Sequence, residues 1–485
     1  MKLLFSDVFG VKPRTVERYG AFNISLVSDL PLFVDPFLLF NSKKPEYRAL
    51  HDRMIDYLRF LRDKSANQAL GPGLLRAWYL FPEIEQNWLG FSRTGNKGHG
   101  LGLKFATALH QGLGRLFKSF GDEKITSGSH LEKLCLIREG VGRDNISDFT
   151  NNLILEFLLE YTEAFALKHV AQQNRKRVLV PHVRFNYETE TWVGRRFRLP
   201  VFNRDYVLLT PRDILTRDDT WINRTDLVDR FVDIPSAIPN VQLRAQVNNY
   251  FKKSIPRNAK REDERVAAVK TILHFPQLID YFIKFKEQHG DEAKHVSADR
   301  VAQSEALYLG QFKALANLLS KKSGFYRIAG KTYQEALQRV RFFKNVIEKK
   351  GGHRLFYVKG TALEREEDLH ILYRMTWYAT EVDVTREAND GRGPADFKIS
   401  TGANDKTLVE FKLAKNSQLK RNLERQAKIY EEASDAQTTI KVIVYFSVAE
   451  RRKVESILKA LKMDKDERVV LVDARKDNKP SGSKA

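Results

Sequence analysis

Asp396, Glu410 and Lys412 lie within one short stretch, GRGPADFKISTGANDKTLVEFKL (391–413), and are the residue types of this chain best able to do chemistry together. Within it, DFKIS and TLVEFKLA have the composition of two short strands separated by the turn-forming GANDK. Side chains alternate along a strand, so Glu410 and Lys412 share one face while Val409 and Phe411 point to the other. Asp396, at the end of the neighbouring strand, is then expected beside Glu410. Two carboxylates and an amine at the mouth of a small sheet make a site for a hard divalent cation and an attacking water. That is the chemistry of phosphodiester hydrolysis.

The pattern Asp…Glu-x-Lys across a strand pair resembles the signature of the PD-(D/E)xK nuclease superfamily, which includes many restriction endonucleases. The match departs from the pattern in one place: an alanine stands inside the nominal Pro-Asp, giving Pro394-Ala395-Asp396. The resemblance covers about the last 150 residues. It implies that Asp396, Glu410 and the backbone carbonyl of Phe411 hold Mg²⁺ or Mn²⁺. It also implies that Lys412 positions or helps deprotonate the attacking water and stabilises charge at phosphorus.

The elements that must position these residues extend the likeness. TALEREEDLHILYRMTWYA (361–379) reads as a helix with Thr361 as a possible cap and acids crowding its first turns. At about 100° per residue, Leu369, Leu372, Tyr373 and Thr376 fall on one side; Glu366 lies about 60° from Leu369, whereas Glu364 and Glu367 point away. An acid on the first helix facing the sheet is a further metal or water ligand in many superfamily members, which makes Glu366 the candidate and Glu367 the second choice. Acids that simply complement the helix N-terminus account for any one of them equally well. Downstream, LKRNLERQAKIYEEAS (419–434) reads as an amphipathic helix carrying Gln426 and Tyr430 at i and i+4 on one face. Gln-x-x-x-Tyr after the Glu-x-Lys strand resembles the motif of RecB-type nucleases and would orient water or the DNA backbone; the alternative is a core tyrosine beside a solvated glutamine. TIKVIVYFS (439–447) then reads as a buried strand, ERRKVESILKALKM as a helix and RVVLVDA (468–474) as a strand, the element order of the superfamily core.

Composition narrows the partners. The net charge of +21 makes a polyanion the natural ligand, which the nuclease resemblance implies is DNA, and about half of that surplus falls after residue 300. Lys415, Lys420 and Arg392, flanking the triad, are candidate nucleic-acid contacts. Lys321-Lys322, Arg341 with Lys344, and Arg451-Arg452-Lys453 are further basic clusters, a type that more often forms a solvated face. The single cysteine, Cys135, excludes a disulfide framework or a cysteine zinc site, and eleven scattered histidines without ligand spacing argue against a zinc enzyme. Apolar runs such as NNLILEFLLEY (151–161) are too short and too interrupted by acids for a membrane span, and MKLLFSDVFG lacks a signal organisation. The cytoplasm is the expected location.

The expected fold class is α/β in its nuclease part, a mixed sheet flanked by helices, and α+β overall. Residues 1–250 read as an α+β recognition or regulatory region, 251–300 as a helical connector, 301–474 as the nuclease domain and 475–485 as a disordered tail. RKRVLVPHVRFNYETETWVGRRFRLPVF (175–202) alternates as strands do, and 286–301 resembles a connector between helices. Glycines 95, 98, 100 and 102 look like the nucleotide lid of histidine-kinase-type ATPases, but no Asp-x-Gly-x-Gly and no Gly-Lys-Ser/Thr accompany them, so a flexible turn or a DNA-backbone loop is favoured. The expected function is a metal-dependent DNA endonuclease, by analogy of fold a restriction-like or anti-phage enzyme, with self-association or a defence partner protein in keeping with a large extra region. The alternatives are a nuclease-like fold that grips nucleic acid without cutting, and a sensor or scaffold.

Overall fold

A five-stranded mixed sheet and a long hairpin, with two short two-stranded pairs, organise the strands of this mixed α+β chain. The computed structural model describes residues 4–26, 29–67, 70–90, 101–115, 120–137, 143–203, 205–217, 219–256, 259–307, 331–349, 352–358, 361–362, 366–377, 383–389, 394–401, 405–424 and 438–479.

In the N-terminal region, β1 (Phe33–Val34) precedes the long helix α1 (Pro45–Asn67), and α2 (Leu155–His169) leads into a long hairpin of β2 (Arg175–Asn186) and β3 (Thr191–Phe202). Asn186 sets the turn: its side-chain oxygen accepts from the amides of Glu188 and Thr189 at 2.8 and 3.3 Å, and Glu190 adopts a left-handed φ of 52°. Val180, Val183, Phe197 and Leu199 are buried, and α2 lies against both strands. The register shifts between Val180 and Arg184, opposite Gly194, where a Cβ would stand 3.0 Å from the Val180 carbonyl oxygen. The short β4 (Leu215–Thr216) pairs antiparallel with β1 and closes the region.

After a short helix over Arg224–Asp229 come α3 (Val241–Ser254), α4 (Arg261–His274), α5 (Leu278–Gln288) and α6 (Gly290–Ser304). The stretch 286–301, expected as a connector, is therefore helical with only His289 between two helices. Its charges are not those of a loop. Lys286 is buried against the Trp221 ring and paired with Asp226, and Asp291 and Lys294 face each other one turn apart. The last of these helices, α6, lies against β4, and just beyond its end Glu305 pairs with Arg212 at 2.6 Å.

The C-terminal part contains α7 (Thr332–Lys349), a two-residue pair β5 (Tyr357–Val358) and β6 (Thr361–Ala362), and α8 (Glu366–Arg374). Then come β7 (Asp383–Asn389), β8 (Pro394–Thr401), β9 (Asp405–Leu413), β10 (Thr438–Tyr445), α9 (Val448–Ala460) and β11 (Val469–Asp473). The sheet order is β11-β10-β9-β8-β7; the β7–β8–β9 half is antiparallel and the β9–β10–β11 half parallel. Thr361 is not a helix cap. It sits opposite Val358 in the β5–β6 pair, and the helix begins at Glu366 and tightens to a 3₁₀ turn over Met375–Trp377.

Helix α7 covers one face of this sheet because Ala336, Val340, Phe343 and Ile347 recur along one side of it and are buried. Its first residue is fixed by Asp405, whose carboxylate accepts from the Thr332 amide at 3.0 Å and hydroxyl at 2.6 Å. The other face meets α9 through Ala414, Leu419, Leu423, Ile443, Tyr445, Val454 and Leu458. Ser447 caps α9 by accepting from the Glu450 amide at 3.1 Å, while Glu450 accepts from the Phe446 amide at 2.7 Å. Residues 475–479, expected to start a disordered tail, are tethered: Arg475 and Lys479 pair with Asp473 at 2.8 and 3.3 Å.

Phe411 is the centre of the α7 face. It is fully buried, with ring centroids 4.9 Å from Tyr373, 6.0 Å from Phe343 and 6.1 Å from Phe397. Phe411→Ala is therefore expected to cost about 3–5 kcal/mol, read as a lower urea midpoint in equilibrium unfolding. A change under about 1 kcal/mol would show that this aromatic cluster does not hold the sheet.

Candidate active site at the split between two strands

The site lies where β8 leaves β9. Their ladder runs from Thr401–Asp405 to Phe397–Val409 and stops there. Beyond that point β8 stays with β7 as far as Asn389–Pro394, while β9 continues beside β10 as far as Leu413–Val444. Among the described residues, one edge of β9 over Glu410–Leu413 is thus left without a strand, and its inward amides need acceptors. Carboxylates supply them. The Phe411 amide donates to Asp396 Oδ2 at 2.6 Å and the Leu413 amide to Glu366 Oε1 at 3.1 Å. In return the Asp396 amide donates to Glu410 Oε1 at 3.2 Å. The N–H and C=O of one strand residue point to the same side, so the Phe411 carbonyl opens on the same gap.

Alternation along β9 sends Val409, Phe411 and Leu413 into the α7 face and Glu410 and Lys412 to the other. Lys412 Nζ then stands 3.2 Å from Glu410 Oε2, 3.4 Å from Asp396 Oδ2 and 3.5 Å from Glu366 Oε2. The structure therefore brings Asp396, Glu410, Lys412 and Glu366 together around one ammonium. Glu366 opens α8, whose Leu369 and Tyr373 are buried, so the phase of the helix turns its carboxylate to the sheet.

Two neighbours escape a reading of the sequence. His370, one turn after Glu366, brings Nε2 to 3.2 Å from Asp396 Oδ2, off the line of a hydrogen bond, and is only 5% exposed. Asn416 donates to Glu366 Oε1 at 3.1 Å. The i to i+4 spacing of Glu366 and His370 is the one signal that places both on the same helix face.

Charge is unbalanced here. Burial pushes Glu410 up to about 8, and the adjacent Asp396 adds to the rise against the pull of Lys412. Burial also opposes ionisation of Asp396, but His370, Lys412 and the Phe411 amide outweigh it and hold the carboxyl well below its usual range. Lys412 is disfavoured as an ammonium by burial, yet Asp396, Glu410 and Glu366 raise it above its ordinary value.

A hard divalent cation suits these donors chemically: carboxylate and carbonyl oxygens, with three acids against one lysine. As placed, no group of three or more His, Cys, Asp or Glu side chains among the described residues stands in a metal-holding arrangement, and Lys412 is the cation they share. Asp396, Glu410 and Glu366 are the residues that would hold the ion.

Other expected contributors are used differently or lie elsewhere. Gln426, Tyr430, Arg392 and Glu364 fall outside the described residues, as do the side chain of Glu367, the loop 91–100 and Lys321-Lys322. Lys415 and Lys420 are exposed. Lys453 donates to the Ala414 and Asn416 carbonyls, Arg451 pairs with Glu455 and Lys344 with Glu348, so these three serve the fold. No helix among the described residues is long and apolar enough to cross a membrane.

The raised Glu410 has a definite sign in stability. Below about 4.5, where an unfolded glutamate also holds its proton, its contribution is fully present; it is lost as pH rises through about 8. In chelator, Glu410→Gln should therefore raise the melting temperature by several degrees at pH 9, by less at pH 6 where only part of the contribution has been lost, and leave it nearly unchanged at pH 4. Thermal unfolding of both proteins across that range checks this. A difference independent of pH would mean that Glu410 is ionised throughout.

Residues 332–448 match the model of a family described as a domain of unknown function (DUF8371), and residues 10–223 match another, also described as a domain of unknown function (DUF8370). The first of these spans contains Glu366, His370, Asp396, Glu410, Lys412 and Asn416. No curated protein and no solved structure matches the chain.

Proposed function

We propose that this chain is a metal-dependent deoxyribonuclease that hydrolyses phosphodiester bonds with the site at the β8–β9 split. The observation that carries this reading is the convergence of three carboxylates on one lysine within 3.5 Å, beside an uncovered strand edge. The likeness of Asp396, Glu410 and Lys412 to the PD-(D/E)xK pattern and the net charge of +21 support it. A bound Mg²⁺ or Mn²⁺ would supply Lewis-acid polarisation of a phosphoryl oxygen and a more acidic water. Asp396 and Glu410 would hold it with the Phe411 carbonyl, and Glu366 would complete the shell. Asp396 is oriented by the Phe411 amide and His370, and Glu366 by the Leu413 amide and Asn416. Lys412, kept charged by its three neighbours, is suited to orient water and offset charge growing on phosphorus. Action on foreign DNA in a restriction-like defence role is the biological setting we favour, by analogy of fold.

A second reading draws on the same cluster. Lys412 already neutralises part of the acid surplus, as it would in a fold that holds DNA without cutting it or that senses a partner. Plasmid incubated with the full chain in Mg²⁺ and in chelator separates the two. Nicking in Mg²⁺ alone supports the nuclease; intact plasmid with retained binding supports the alternative.

Asp396→Ala or Glu410→Ala should lower cleavage by about 10³-fold or more while sparing DNA binding, since each removes a ligand and negative charge facing phosphate. Cleavage at native rates by either purified variant overturns the site. Lys412→Ala should cost about 10²–10³-fold. Lys412→Arg should also be poor, because a larger planar cation must fit a niche in which Lys412 is 9% exposed. Native rates for the arginine variant would reduce Lys412 to a fixed charge.

A further inference from the structure

The β2–β3 hairpin is rich in positive charge, and part of that charge lies on a side left exposed among the described residues. Between Arg175 and Phe202 there are seven Arg and Lys residues and two acids, and both acids, Glu188 and Glu190, lie in the turn. Register divides the strands into faces. Val178–Phe197 and Val180–Arg195 look toward α2, where Arg195 pairs with Glu160 at 2.6 Å. The intervening pairs, Arg177–Arg198 and Leu179–Arg196, look the other way.

On that outer face Arg177, Arg196 and Arg198 are exposed, and Leu179 is 59% exposed. None of the three guanidinium groups has a carboxylate partner among the described residues; the nearby Glu163 is engaged by the Arg198 backbone amide. Arg177 and Arg198 stand directly opposite each other, an arrangement of like charges that weakens a strand pair. An isolated hairpin gains nothing from this. A polyanion lying on the face would reverse the sign of the effect.

We propose that this face of the β2–β3 ribbon seats in the major groove of duplex DNA, with Arg177, Arg196 and Arg198 reaching phosphates and base edges. A third strand, Asp205–Tyr206, pairs only with Val201–Phe202, so the stretch carrying these arginines is a two-stranded ribbon, and one with strands about 4.8 Å apart fits the roughly 12 Å major groove of B-form DNA. The deep, narrow major groove of A-form RNA does not admit one. Arginine forks match both phosphate oxygens and guanine edges, and Leu179 offers an apolar contact of the kind a thymine methyl accepts. The bulge opposite Gly194 increases the local twist, which suits a ribbon that follows a groove. The inference rests on the proposed function only in taking DNA as the polyanion, and it locates a hold on the duplex in the N-terminal region, on a different element from the candidate active site.

The test uses the full chain carrying Asp396→Ala, in chelator, so that binding is read without cleavage. Fluorescence anisotropy with a labelled 30-base-pair DNA duplex compares this parent with the triple variant Arg177→Ala, Arg196→Ala, Arg198→Ala. A charge-matched control carries Lys252→Ala, Lys253→Ala and Lys270→Ala on exposed positions of α3 and α4. The ribbon variant should bind at least about tenfold more weakly at 0.1 M salt, with a slope of log affinity against log salt shallower by about 2–3, while the control changes by less than about twofold. Its melting temperature should equal or exceed that of the parent, because a like-charge pair is gone. Equal losses in ribbon variant and control, or no loss in either, overturn the proposal. So does a parent that binds duplex RNA as tightly as DNA, or a ribbon variant that loses binding to polyglutamate but not to DNA, which would assign the face to an acidic protein. A cleavage assay on the Asp396-intact chain is read separately; failure to cut with retained ribbon-dependent binding sinks only the nuclease reading.

Discussion

Backbone amides without a strand to bond to are the constraint from which the candidate site follows. Where β8 departs from β9, the Phe411 and Leu413 amides would be stranded in the interior, and a buried N–H without an acceptor is costly. Asp396 and Glu366 meet that need, and in doing so lose the freedom to point elsewhere. The positions of the two carboxylates are consequently set by main-chain geometry rather than by side-chain packing alone. Everything else serves to keep the split open in the same way: α7 locks the Phe411 side of the strand, α8 delivers Glu366, and Asn416 steadies it from the turn after β9.

The electrostatics of this corner are not those of a fold optimised for stability. A buried ion pair is at best a modest gain over apolar packing, and an acid excess in the same place is worse. One lysine shared among three carboxylates leaves negative charge that solvent reaches only poorly. Such frustration is commonest where a ligand resolves it. The outer face of the hairpin in the N-terminal region presents the opposite imbalance, with cations that no acid among the described residues answers. The chain thus carries uncompensated charge of one sign in a crevice and of the other on an open ribbon.

Some of this was legible in the residues. The facing of Glu410 and Lys412 follows from the two-residue period of a strand, and the turn of Glu366 toward the sheet from the phase of Leu369 and Tyr373; both are local rules. His370 was not legible because its contact with Asp396 arises only when α8 meets the end of β8, a tertiary event. Thr361 is misread for a related reason: the acids after it suggest a helix start, whereas Thr361 itself pairs with Val358 across residues 359–360. The stretch 286–301 looked like a connector because it is polar, but its polar groups lie at helical spacing and one of them, Lys286, is buried against Trp221. The hairpin was visible as alternation, whereas the direction of its arginines depended on a register shift at Gly194 that no local pattern encodes.

The antiparallel half of the C-terminal sheet has a consequence for how the chain reaches its fold. Asp396 and Glu410 face each other across a hairpin whose strands are separated by residues 402–404 alone, so they meet by closing a short loop. Parallel pairing of β9 with β10 must wait for a crossover through residues 414–437. Mutual repulsion of the two acids is therefore met early, before the surrounding core exists to confine them. Lys412 lies two positions from Glu410 on the same strand and arrives with it. The hairpin that holds the acid pair thus carries a counterion of its own on the same strand.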